Sequence, residues 1–236
     1  MFLQKVMCVQ KFFYVFLLYF MYCVFGYVLE CLFCSIVDKK IVLNRGFLIG
    51  PYLPIYGWGA IIIIFMLKRY INDPVALFVM AALISSVLEY FTSYFMEKVF
   101  KARWWDYSEK KLNLNGRVCL SNSLLFGIGG VVVMYVINPI FTKLLDSFSS
   151  TWIFVLGIIF FTIYFLDTVV SIVTIYKIRS NSISISKDIT EEISDQVKKA
   201  LSKNKYVKRR LLNAFPKTGD FKSYHKLKEI LNKRSN

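Results

Sequence analysis

Histidine is almost missing: the one histidine among 236 residues is His225, and none lies in the apolar part of the chain. That excludes a histidine-based metal site or catalytic triad there. No G-x-x-x-x-G-K run followed by Ser or Thr occurs, so the chain does not bind ATP through a P-loop of its own. Charge is scarce too, at 19% of residues where a soluble domain carries about 25%. It is also unevenly placed. Residues 177–236 hold 16 Lys/Arg against 6 Asp/Glu, whereas residues 1–176 hold 14 against 9. Five cysteines (Cys8, Cys23, Cys31, Cys34, Cys119) make an odd number, and four lie in apolar runs. They read as small buried hydrophobes rather than a disulfide framework. Cys31 and Cys34 have redox-like spacing but no second pair, which leaves a metal or redox role without support. The first apolar run lacks a small-residue cleavage site and is too long for a signal peptide, so it reads as a retained span.

What is present is hydrophobicity: 56% of residues are apolar and 17% aromatic. About 20 consecutive apolar residues cross a bilayer as a helix. Four stretches meet this cleanly: 12–36, 74–96, 118–142 and 147–176. A fifth, 46–67, is uncharged but begins with Gly46, Gly50, Pro51, Pro54, Gly57 and Gly59. Such a start cannot be a uniform helix, and irregular backbone at membrane depth survives only when protein or a wet cavity covers it. The expectation is an all-α polytopic bundle of about five transmembrane helices over residues 1–178. Its fifth pass is broken or re-entrant at the start, and a basic cytoplasmic tail fills 179–236. Within the tail, apolar residues at helical spacing end at Phe215 and Pro216, and 221–231 suits a short amphipathic helix.

With five passes, the short loops on the tail's side carry nine basic residues against five on the other. The positive-inside rule then places the N-terminus outside and the C-terminus in the cytoplasm. The basic tail, with Lys208, Arg209 and Arg210, suits anionic lipid headgroups or a cytoplasmic protein. No nucleic-acid reader module accompanies the charge. Short matches around Glu30 and Glu89, each followed by a basic loop and a glycine-bearing span, fit a parallel internal repeat.

Three acids interrupt the apolar runs: Glu30, Glu89 and Asp167. A carboxylate in hydrocarbon costs about 2.5–3.5 kcal/mol on insertion scales, so it rarely faces lipid. Each has polar neighbours at helical spacing, so three stripes have the means to converge. Two readings stand open. The acids line a substrate or ion path, or they pair with Arg45 and Arg117 and clamp the bundle. The loop 97–117 holds Trp104, Trp105, Asp106 and Tyr107 at headgroup level, then Asn113, Asn115 and Gly116, which favour tight turns. A folded loop packed under the bundle is expected. No nucleophile or metal set for enzyme chemistry is found, so neither an enzyme nor a cofactor is expected.

The run Asn44, Arg45, Gly46 through Gly50, Pro51, Pro54, Tyr56 and Gly57 resembles the bacterial ABC-transporter type IV, or CmpB-like permease, family. The same pattern continues at Glu89, at Glu97, at Trp104 to Tyr107, and at Asn113, Asn115, Gly116 and Arg117. Leu53 stands where family members often carry cysteine, which speaks against a thiol role there. The resemblance implies an ABC transporter permease in the plasma membrane, energised by a separate ATPase subunit. It brings no catalytic role to these residues. The alternative is a non-transporting scaffold or lipid-binding protein, and either is compatible with a homo-oligomer.

Overall fold

The structure, a computed structural model, describes residues 2–39, 41, 43, 45–100 and 104–185. Asn44 and the tail beyond 185, with its basic cluster, lie outside the described residues. The first helix, α1 (Phe2–Asp38), leads through an irregular segment to α2 (Pro54–Leu67) and a single 3-10 turn (Lys68–Tyr70). There follow α3 (Pro74–Phe100), the two-residue strands β1 (Asn113–Leu114) and β2 (Val118–Cys119), α4 (Leu120–Val132), α5 (Asn138–Asp146) and α6 (Ser150–Ile185). Helix α6 thus runs past residue 178 before the described residues end.

Four helical stretches are long and apolar enough to cross a membrane: Cys8–Val37, Pro74–Val99, Leu120–Asp146 and Ser150–Ile175. They coincide with the four clean stretches of the sequence. The third is α4 and α5 joined by a π-helical turn, Val133–Ile137. Pro139, in the first turn of α5, explains the widened turn. Its ring has no N–H to give and would collide with a carbonyl one turn back, so the backbone opens to make room.

The fifth pass is where the structure refines the expectation. Helix α2 has 14 residues, about 21 Å at the usual rise, against a hydrocarbon core of about 30 Å. Pro54 starts it, because proline needs no N–H partner at a first helical turn. Its start lies at mid-depth: the Leu53 N–H bonds the Cys23 carbonyl at 2.9 Å, halfway along the first spanning stretch. Residues 45–53 therefore traverse one half of the bundle as irregular chain and α2 traverses the other. The pass is half loop, half helix.

Directions follow from pairs of contacts. Tyr56 meets Glu30 while Trp58 meets Tyr19, so α2 runs antiparallel to α1. Phe13 meets Phe154 and Tyr19 meets Tyr164, so α6 runs parallel to α1. Ser86 meets Ser123 and Tyr135 meets Ile71, so α4 and α5 return against α3. Tyr14 reaches Asp146 and Tyr22 reaches Asn138, which sets α5 antiparallel to α1. The start of α1 and the end of α6 consequently lie at opposite ends of the bundle.

The main core joins α1, α5 and α6 through Phe16, Phe20, Tyr22, Leu145 and Ile153, with Leu48 and Tyr52 of the irregular segment built into it. Close approach makes this possible. A Cβ on Gly57 would fall on the Cys23 sulfur and the Tyr19 ring, so only glycine lets α2 lie against α1. The outward faces carry Phe65, Phe91, Phe165 and many other exposed apolar side chains. Such a surface suits lipid and not water.

Candidate functional site

Two polar clusters border the irregular segment. The first is organised by Asp167, half-buried on α6. Its carboxylate accepts the N–H groups of Ile49 at 3.0 Å and Gly50 at 2.7 Å, the Tyr52 hydroxyl, and the Ser171 hydroxyl at 2.9 Å. The reason is elementary. Residues 45–53 make no helix, so their N–H groups need acceptors, and an ionised carboxylate is the strongest acceptor a side chain offers. Gly50 and Pro51 prevent a regular turn, and Asp167 takes up the donors that result. Nearby, the Tyr19 and Tyr164 hydroxyls share a 2.8 Å hydrogen bond beside Gly57.

The second cluster gathers Glu30 of α1 and Glu89 of α3. Tyr56 of α2 donates to Glu30 at 2.7 Å, and Tyr107 of the following loop donates to Glu89 at 3.0 Å. The Cys34 thiol lies 3.5 Å from the Glu30 carboxylate, and Arg45 donates to the Cys34 sulfur. Burial pushes the Tyr107 phenol well above its ordinary range, and the Glu89 and then the Glu30 carboxylate add to the rise. Both acids therefore act on one hydroxyl.

The expected arginine pairing takes a different form. Arg117 pairs with Glu97 at 2.6 Å, about two turns of helix beyond Glu89, and its guanidinium lies over the rings of Tyr90 and Tyr94. Arg45 reaches Glu30 only through Cys34. The physical reason is reach and stacking: the guanidinium, carried on the loop turn, gains both the half-buried Glu97 carboxylate and two aromatic faces. Glu89 lies deeper and is met by a phenol. Of the three acids, Glu30 and Glu89 come together while Asp167 serves the separate cluster around residues 49–52.

The loop after α3 is folded, as the sequence indicates. Strands β1 and β2 pair antiparallel, and the turn between them closes with Arg117 N–H to Leu114 C=O at 3.0 Å. Both central residues have positive φ, 54° at Asn115 and 69° at Gly116, which Asn-Gly turns adopt readily. Asn113 ties the loop internally, accepting from Gly116 N–H and donating to the Ser108 and Lys110 carbonyls. Asp106 accepts from Ser108 at 3.0 Å through its N–H. Trp105 donates its indole N–H to the Arg117 carbonyl at 3.0 Å, and Trp104 packs edge-on against Phe47. Asn115 reaches back to the Tyr90 hydroxyl at 3.0 Å. Tyr107 itself is tied to this turn, its N–H bonding the Gly116 carbonyl at 2.8 Å, while its hydroxyl meets Glu89.

Of the remaining motif residues, Gly46 sits at φ 80° within the irregular segment, and Pro51 is exposed beside it. Sequence reasoning missed Tyr52 and the N–H groups of Ile49 and Gly50 as the partners of Asp167. A signal was available: a Gly-Pro break at membrane depth leaves donors that some buried acid must satisfy. Among the described residues, no three His, Cys, Asp or Glu side chains lie close enough together to hold a metal ion.

The architecture defines a multi-pass, all-α membrane protein whose interior carries ionisable side chains. The family described as "Putative ABC-transporter type IV" matches residues 17–172, and the chain belongs to it. The match runs from near the middle of α1 through most of α6, including both clusters. No curated protein and no solved structure matches the chain.

Proposed function

We propose that the chain is the permease subunit of an ABC transport system, lying in a bacterial plasma membrane and energised by a separate ATPase. The observation that carries this reading is the family match over 17–172, joined to a bundle of alternating passes with an acidic interior. The chain has no P-loop, so nucleotide hydrolysis falls to a partner, and the chain itself performs no bond chemistry. Its N-terminus faces outward and its C-terminus the cytoplasm, following the basic loops and tail. The tail then meets anionic headgroups or the ATPase.

The experiment is purification of the tagged full chain in mild detergent, followed by reconstitution. An ATPase is expected to co-purify, and ATP-driven flux should fall below detection in Glu89→Gln expressed at the normal level. Absence of any ATPase from the complex, with flux unaffected by Glu89→Gln, would contradict the reading. A second reading, a scaffold without transport, is favoured by one specific fact: Asp167 is fully engaged in holding residues 49–52. In that case Asp167 variants lose folded protein, and no flux exists to lose.

A further inference from the structure

Glu89 and Ser93 lie one turn apart on the same face of α3, and both are nearly inaccessible, at 4% and 2% exposure. Glu89 Oε1 accepts from Tyr107, whereas Oε2 is buried with no hydrogen-bond partner. Ser93 Oγ is buried and unpartnered as well. That is unusual within this bundle. Ser86, Thr142, Thr162, Thr168 and Thr174 each donate to the carbonyl four residues back, the ordinary way a helical hydroxyl is satisfied in an apolar setting. Ser93 does not, although the Glu89 carbonyl is the acceptor available to it. Two buried oxygens one turn apart on the same helix face are left without partners, and a group so placed is costly unless something meets it.

The charges nearby do not balance. From α3, Glu97 is paired with Arg117. From α1 and the segment after it, Glu30, Cys34 and Arg45 form a chain in which Arg45 supplies one positive charge against Glu30. From α2 and the described part of the loop, the groups that bond to the two acids are the phenols of Tyr56 and Tyr107, while Arg117 is taken up by Glu97. Among the described residues, one negative charge, that of Glu89, is left over. A proton on Oε2 removes the charge and makes an O–H for which Ser93 Oγ is an acceptor one turn on, so a proton is the cation's direct competitor here. Protonating Oε1 competes with the hydrogen that Tyr107 already donates there. A bare cation between Oε2 and Ser93 Oγ satisfies both oxygens and the charge together.

We propose that Glu89 and Ser93, in the same acidic cluster as Glu30, form a binding site for one small monovalent cation of the sodium class. Hard oxygen ligands suit an alkali ion, and a single surplus charge suits one that is monovalent. The site is a property of the bundle and does not depend on the ATPase reading. A proton competes with the cation for the same carboxylate oxygen, so the two exclude one another there.

The test uses the purified full chain in detergent, with thermal unfolding measured in sodium, lithium, potassium or choline chloride at constant ionic strength. Sodium or lithium at pH 8 is expected to raise the melting temperature saturably, by roughly 5 °C over choline. Ser93→Ala should raise the half-saturating concentration about tenfold, one ligand's share, while Ser93→Thr keeps it near the parent value. Glu89→Gln should abolish the shift, and where that variant does not fold, the Ser93 pair decides. A melting temperature indifferent to alkali cations, or one that follows pH alone, overturns the site. So does an unchanged sodium response in both Ser93→Ala and Glu89→Gln.

Discussion

Asp167 shows what one residue does here. Four donors converge on its carboxylate, two of them backbone N–H groups of a segment that has no helix to bond to. Charge-assisted hydrogen bonds are about twice as strong as neutral ones, and a buried donor left alone is expensive. Asp167→Asn keeps the shape but replaces one accepting oxygen with an amide that can only donate. It is expected to destabilise the fold by about 2–4 kcal/mol, read as a drop in the unfolding midpoint in mixed micelles. Asp167→Ala should cost at least as much, and an Asp167→Asn protein as stable as the parent would show that residues 49–52 are held by something else. The sequence pointed to the acid and to polar neighbours at helical spacing, of which Ser171 is the one that bonds it. The partners Ile49, Gly50 and Tyr52 were hidden because they lie 115 to 118 positions away, and nothing in a single sequence encodes that meeting.

At the scale of elements, the half-length α2 depends on how closely it can lie against α1. Gly57 faces the Cys23 sulfur and the Tyr19 ring, and Gly26 faces Tyr56 in return. Without a hydrophobic force between helices in lipid, such small-residue contacts supply the packing that holds them together. Gly57→Leu is expected to push α2 off α1, dragging Tyr56 away from Glu30. The measurable result is loss of the monodisperse peak in size-exclusion chromatography, whereas Gly129→Leu, with nothing within 4 Å, should elute normally. Equal behaviour of the two variants would argue against the α1–α2 contact. Long spans were legible from hydropathy alone because length and apolarity decide them. The true extent of α2 was not, since 46–67 is apolar throughout and only the meeting of Leu53 with Cys23 reveals where helix begins. The pairing of Arg117 with Glu97 in place of Glu89 was likewise invisible. It turns on depth, and composition does not report depth.

For the whole molecule, the arrangement is five passes of alternating direction, four of them full helices and one divided between chain and helix. The divided pass brings polar backbone to mid-depth, and the acids of α1, α3 and α6 stand around it. Family membership agrees with a transport-related membrane protein, and the folded loop beneath α3 gives the acidic cluster its lower wall. Cysteine-accessibility labelling in sealed vesicles of both orientations tests this arrangement most directly. With the native thiols replaced, Arg69→Cys and Lys110→Cys should react with an impermeant maleimide from opposite sides, and Leu48→Cys, 1% exposed, from neither. Labelling of positions 69 and 110 from the same side, or of position 48 as readily as 110, would contradict it.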